Sequence, residues 1–319
     1  MERVVPNALL RPRHPPSFVY FVSFVVKKIP RRFVLAATLC LTLVVSGCTS
    51  SSAPVSPWTE TTPGRWNASV AGWTLTVESQ RARLTELIPP GGTNLLIAGG
   101  HRVWLGPQTS WPVFWPAPRD WENSAATAVT RSSDGRTLEL TLPHTDPRWP
   151  ALTRRYTLTR DGVTLIASWT DDGTPRQAIH ILQTRADTRV EATATPTESA
   201  PLGVGLLALN SRRGLILNQP ITADFADPIA SQRWSFHSGT REEKFGLPPQ
   251  DLRTPDFTLE RGQIASGIST ASVDAGLHSQ IYLGSPGQWA MVEIEQVSPL
   301  LRAKNLGGEV IFTTHLRLR

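Results

Sequence analysis

Arg154-Arg155-Tyr156-Thr157-Leu158-Thr159, then Arg160-Asp161-Gly162, then Val163-Thr164-Leu165-Ile166-Ala167-Ser168-Trp169 is two alternating β-rich runs around an Asp-Gly turn. Asp-Gly supplies the positive φ angles that a tight hairpin turn needs, so this stretch predicts an antiparallel hairpin. The same grammar extends outward. Alternating runs occur at Trp73–Glu78, Ala82–Ile88, Thr127–Arg131, Thr137–Leu142, Leu152–Thr159, Val163–Trp169, Ala178–Thr184, Arg189–Ala194, Leu215–Asn218, Gln280–Leu283, Trp289–Glu295 and Glu309–Arg317. Ser133-Asp134-Gly135 and Asp172-Gly173 repeat the hairpin signal. Helical periodicity is scarce. A dozen strands without helices predict an all-β sandwich or barrel. Pro220 to Thr258 lacks alternation and reads as long loops capping one face.

The N-terminus reads differently. Phe33 to Gly47 is an apolar run preceded by Lys27, Lys28, Arg31 and Arg32. It is too short to span a bilayer, which takes ~20 residues. A cationic start, an apolar middle and small residues at the end describe an export signal. Val45-Ser46-Gly47-Cys48 resembles the lipobox of bacterial lipoproteins. That resemblance implies cleavage after Gly47 and acylation of Cys48. Residues 1–47 are therefore expected to be signal peptide, with a true start near Val25. Residues 48–66 are expected to be a lipidated Cys and flexible tether, because Thr49 to Pro63 is rich in Ser, Thr and Pro. Residues 67–319 are the expected folded domain. With no Asp following Cys48, an outer membrane location facing the periplasm is favoured.

This division changes the composition that matters. The chain carries 32 Lys and Arg against 26 Asp and Glu, a net +6. Residues 1–47 hold seven of the basic residues and one of the acidic, which leaves 25 of each. A neutral domain does not point to nucleic acid as a partner. Both cysteines, Cys40 and Cys48, lie outside the expected domain, so no disulfide or thiolate chemistry is expected there. No His-x-His, His-Glu-x-x-His or Asp-rich loop is present, and neither a metal nor another cofactor is expected.

Four of the eleven tryptophans fall between Trp104 and Trp121. The block Gly99-Gly100-His101-Arg102-Val103-Trp104-Leu105-Gly106-Pro107-Gln108 leads into them, and Val292-Glu293-Ile294-Glu295-Gln296-Val297-Ser298-Pro299 follows near the C-terminus. This order resembles the family known as domain of unknown function 4380, which is similar to the galactose mutarotases. The resemblance covers roughly residues 70–318. It implies an antiparallel β-supersandwich with a sugar-binding concavity.

Mutarotation needs a general acid at the ring oxygen and a general base at the anomeric hydroxyl, both in one pocket. The resemblance implies His180 as the acid candidate, matched by position only, and Glu293 as the base candidate. The Asn-His motif that surrounds the mutarotase acid is absent. Glu293 and Glu295 are two apart and share one strand face, so their repulsion is expected to raise one of the two carboxyl pKa values. His101, Arg102 and Gln108 are candidate substrate-binding residues. His101 reads equally as a plain loop residue. Trp104 reads as structural. Trp111 and Trp115, with Pro neighbours, read as loop aromatics able to stack on a sugar. His237 and His278 lie in loop-like sequence and take no role in this reading. The expectation is thus a lipid-anchored envelope protein that binds or epimerises a periplasmic sugar in the manner of an aldose 1-epimerase. The alternative is a non-catalytic lipoprotein using the same concave sheet to hold a glycan or a protein.

Overall fold

Alternation along Leu152–Leu158 buries Leu152, Arg154, Tyr156 and Leu158 and leaves the intervening residues half-covered. The strand pairs with Gly162–Thr170 in the predicted hairpin, closed by the Thr159 N–H on the Gly162 carbonyl at 2.9 Å. The structure is a computed structural model. It describes residues 54–113, 117–194, 205–207, 216–217, 224–272, 276–285, 287 and 289–319. The chain divides between Ser51 and Ser52, and every described residue lies in the second unit. Residues 1–47, read above as an export signal, and Cys48 lie outside the described residues.

The strands form two large antiparallel sheets and two small ones. A seven-stranded sheet runs in the order Ile216–Leu217, Gly205–Leu207, Glu243–Leu247, Ser279–Leu283, Met291–Val297, Gln177–Arg185, Leu96–Gly106. An eleven-stranded sheet has Leu152–Leu158, Gly162–Thr170 and Glu309–Leu318 side by side. A four-stranded sheet, Ser56–Thr62, Arg65–Val70, Trp73–Glu78 and Arg83–Ile88, and the pair Ile268–Ala271 with Leu300–Arg302 complete it. One apolar cluster joins Leu182, Ile281 and Ile294 of the seven-stranded sheet to Tyr156, Leu165 and Leu316 of the eleven-stranded one and to Leu75 and Leu84 of the four-stranded one. Each such Leu or Ile contributes roughly 1.5–3 kcal/mol by leaving water.

Three expectations are corrected. Strands begin at Ser56, inside the stretch read as flexible tether to residue 66. Trp58 explains this: its ring is fully buried and its Nε1–H donates to the Tyr156 carbonyl at 3.1 Å. Asp172-Gly173 is no hairpin. The strands on either side belong to different sheets, so this turn carries the chain across the sandwich. Pro220 to Thr258 is not all loop, since Ala226–Ala230, Arg233–Phe236, Glu243–Leu247 and Leu252–Arg253 are strands of two to five residues. Such strands are too short for alternation to show.

Arg154 stands in the apolar face of its strand with no exposed surface. Its guanidinium donates to the carbonyls of Ala82 (2.9 Å), Val103 (3.0 Å) and Trp121 (2.8 Å). One buried cation thus ties the four-stranded sheet, the seven-stranded sheet and the short helix Arg119–Asn123 to the large sheet.

Candidate functional site

Register decides which residues can meet. Gln177–Arg185 pairs with Met291–Val297 so that Ile181 faces Glu295 and Gln183 faces Glu293. On its other side Ile181 faces Arg102. Across the next strand, Glu295 faces Gln280 and Glu293 faces Tyr282, and Tyr282 in turn faces Lys244. Partners directly opposite share a face. One face of the seven-stranded sheet therefore carries a row of Arg102, Ile181, Glu295 and Gln280 beside a row of Gln183, Glu293, Tyr282 and Lys244. The other face carries Leu182, Ile281 and Ile294 and packs into the core.

The polar rows are tightly paired. The Gln183 amide donates to Glu293 Oε1 at 2.5 Å, and Lys244 Nζ donates to Glu295 Oε2 at 2.9 Å. Glu293 and Glu295 are both buried. Burial, followed by repulsion from Glu295, pushes the Glu293 carboxyl up to about 7, against the Gln183 hydrogen bond and the positive charges of Lys244 and Arg102. A carboxyl poised there holds or gives a proton at neutral pH, as acid–base chemistry requires. Arg102 is held by Glu122 Oε2 at 3.2 Å, and Trp104 Nε1–H donates to the other Glu122 oxygen. The buried Arg83 also approaches Glu122, at 3.8 Å.

The Gly99-Gly100 pair is explained by the same geometry. A Cβ on Gly99 would lie 1.3 Å from Gln183 Oε1, so the amide that reaches Glu293 occupies the place of a side chain. Gly100 has φ +60°, and a Cβ there would meet the Leu84 carbonyl at 2.2 Å.

His180 does not join Glu293 and Glu295. Its partner across the sheet is Gln296, so the pleat turns it to the core face. His101 lies there too. His180 Nε2 faces the Phe312 carbonyl at 3.4 Å, which can only accept, so that nitrogen carries the hydrogen. His180 Nδ1 then accepts from His101 Nε2 at 3.0 Å, His101 Nδ1 accepts from the Tyr156 hydroxyl at 3.2 Å, and the Tyr156 oxygen accepts from the Leu84 N–H at 3.1 Å. The chain closes with both rings neutral. Burial holds His180 down to about 4 and His101 well below the ordinary histidine range. Both expected roles, acid for His180 and sugar ligand for His101, give way to a structural one.

Trp111 is also structural. It is buried, donates to the Leu105 carbonyl at 2.8 Å, and meets Trp104 and Trp121 edge-on. Gln108 opens a single 3-10 turn, Gln108–Ser110. Trp115 lies outside the described residues. Of the expected site residues, Arg102, Glu293 and Glu295 come together on one face. Glu122, Gln183 and Lys244 join them unforeseen. Gln183 was within reach of a sequence reading, because it lies three positions after His180 on the same strand and hence on the opposite face.

No protein-family model and no curated protein sequence matches this chain. Solved structures do resemble it. A galactose mutarotase-like protein from Lactobacillus casei ATCC 334 is 11% identical with a TM-score of 0.51, over 80% of this chain and 100% of that one. A protein described as a candidate aldose 1-epimerase, from Escherichia coli K12, is 14% identical with a TM-score of 0.54, over 80% of this chain and 98% of that one. The fold is that of the galactose mutarotase-like proteins, an antiparallel β-supersandwich. At these identities the likeness speaks for fold alone.

Proposed function

We propose that this domain binds a carbohydrate on the face that carries Arg102, Gln183, Glu293 and Glu295. The observation behind this reading is the buried double row itself. Two carboxylates, an amide, an ammonium and a guanidinium share a sheet face where apolar side chains would pack at lower cost, because buried polar groups must each be partnered. Sugar hydroxyls, which donate and accept, suit such a set. The mutarotase and epimerase names of the structural neighbours support the ligand class. A second reading, interconversion of sugar anomers, is favoured by the position of the Glu293 carboxyl near neutrality. Non-catalytic binding is what remains without it.

Titration calorimetry of the purified chain with galactose, glucose and a glycan panel should show binding with a dissociation constant below about 1 mM, the upper end of ordinary enzyme sites. A panel with no binder would end the carbohydrate reading. Polarimetry of freshly dissolved galactose tests the second, which acceleration over buffer would support.

We further propose, from the likeness of Val45-Ser46-Gly47-Cys48 to a lipobox, that this domain is carried on a lipoprotein of the outer membrane facing the periplasm. Anchoring by acyl chains at ~0.8 kcal/mol per buried methylene holds only when more than one chain is attached. Metabolic labelling with an alkyne palmitate should tag the chain, and Cys48→Ser should abolish the tag. Labelling that persists in the variant would overturn the assignment of Cys48.

A further inference from the structure

The strand Val190–Thr193 buries Val190 and Ala192 and turns Glu191 and Thr193 away from the core. Its neighbours add to that outer face. Arg253 stands opposite Glu191 on one side, and Arg233 stands opposite Thr193 on the other. The Leu252–Arg253 strand is two residues long and meets Val190–Thr193 at that single pair. Past it, a side chain takes over from backbone. The Gln250 amide donates to the Thr193 carbonyl at 2.8 Å, and its Oε1 accepts the Thr193 N–H at 2.7 Å. A side chain standing where a strand would run spreads the sheet. A cavity of about 360 Å³ opens there between Thr193, Arg233, Pro248, Pro249, Asp251 and Arg253. That volume falls in the range of small-ligand sites, ~300–1,000 Å³.

The walls are fixed before any ligand arrives. The Gln250 N–H donates to Ser279 Oγ at 2.9 Å, and its carbonyl accepts from the Gln296 amide at 2.9 Å. Both partners are buried residues of the seven-stranded sheet. The Pro248-Pro249 pair just before Gln250 has little backbone freedom of its own. The charges are unevenly paired. Glu191 Oε2 accepts from Arg233 at 2.7 Å and not from Arg253, which stands directly opposite. Arg253 is exposed, and its side chain has no hydrogen-bond or ion-pair partner among the described residues. Asp251 is two positions before Arg253 and so shares its face. Among the described residues its carboxylate accepts the Arg261 N–H, at 3.0 Å, and no cation. The cavity therefore offers one guanidinium fork without a carboxylate, carboxylate oxygens able to accept from hydroxyls, and an apolar side made by two proline rings.

We propose that this cavity is a second ligand site, for a sugar that carries a carboxylate: a hexuronate, free or at the end of an acidic glycan. The ligand carboxylate takes the open fork of Arg253 as a bidentate pair. Ring hydroxyls donate to Asp251 and Glu191. The C–H face of the ring covers Pro248 and Pro249 and releases water from them. A phosphate is the poorer guest, because its second charge meets the two carboxylates of the same cavity. The site stands apart from the face that carries Glu293. Val190 and Ala192 enter the same apolar cluster as Leu182 and Ile294, so the two polar faces look out from opposite sides of that core. The proposal is accordingly independent of what binds beside Glu293.

Titration calorimetry of the purified chain with galacturonate, its methyl ester, acetate and glycine tests this. Galacturonate should bind with a dissociation constant of about 1 mM or below. The methyl ester lacks the charge and acetate lacks the hydroxyls, so each should bind at least ~10-fold more weakly. Arg253→Gln, at an exposed position, should keep the urea midpoint of the wild type and weaken galacturonate by ~10-fold or more. Arg253→Lys should fall between, since it keeps the charge and loses the fork. Wild-type chain that binds no galacturonate overturns the proposal. Unchanged affinity in Arg253→Gln puts the acid elsewhere and overturns this cavity as its site. Acetate or glycine bound as tightly as galacturonate overturns the sugar as the ligand class.

Discussion

Replacing Arg154 with Met should remove about 3 kcal/mol of folding stability. The three hydrogen bonds from its guanidinium are charge-assisted and individually worth ~1.5–3 kcal/mol. Met fills much of the volume but donates nothing, and leaves the carbonyls of Ala82, Val103 and Trp121 each short of a partner. Against this, the variant no longer buries a charge, which in proteins costs several kcal/mol. The first effect wins, because the acceptors remain buried after the cation has gone. Urea denaturation at neutral pH should show a lower midpoint at unchanged slope, since the surface exposed on unfolding is the same. An unchanged midpoint would mean that burying the cation costs as much as its bonds return. Arg154→Lys should fall between, because one ammonium cannot reach three elements at once.

Glu293→Gln should abolish acceleration of anomer exchange, by about 100-fold or more, while galactose still binds. The variant amide can accept from Gln183 as the carboxylate does, so the row stays packed. The same variant has a signature in stability. Glu293 holds its proton up to about 7 in the folded chain, against about 4.5 ordinarily. Between those values the folded state binds a proton that the unfolded state has lost, so this group's contribution to stability falls as pH rises through the window. The loss is complete above about pH 7 and amounts to about 3 kcal/mol. Glu293→Gln lacks this slope and should be more stable than the wild type at pH 8 by about that amount. Exchange activity that survives in Glu293→Gln would remove the carboxyl from the chemistry. An unchanged pH slope would show that Glu293 is ionised throughout.

The strands were readable in the sequence wherever alternation ran for six residues or more. Thr137–Leu142 and Trp73–Glu78 have the predicted bounds, and Leu152–Leu158 and Gly162–Thr170 agree to within one residue. Pairing register was not readable. Alternation says that His180 and Gln183 lie on opposite faces of one strand, and that Glu293 and Glu295 share a face of another. It does not say which set meets which, because a slip of one residue exchanges the faces. The pairing of Gln183 with Glu293 settles it, and sends His180 inward with Gln296. Arg102 kept its place beside the carboxylates because it faces Ile181 in the same register. Trp58 was hidden for another reason. Its neighbours are the Ser, Thr and Pro of a tether, yet one indole bonded to Tyr156 is enough to bring that stretch into a sheet.

The pleat that separates His180 from Glu293 also makes one sheet titrate in two directions. His180 stays neutral down to about 4, so the unfolded chain gains a proton below about pH 6.5 that the folded chain refuses, and stability falls with acid. Glu293 does the reverse over nearly the same interval, gaining stability as pH drops from about 7. The two proton linkages are of similar size and opposite sign, and they largely cancel. His101, depressed as well, tips the remainder toward loss in acid. A flat pH–stability curve for the whole protein would thus conceal two steep ones, each uncovered by neutralising the other.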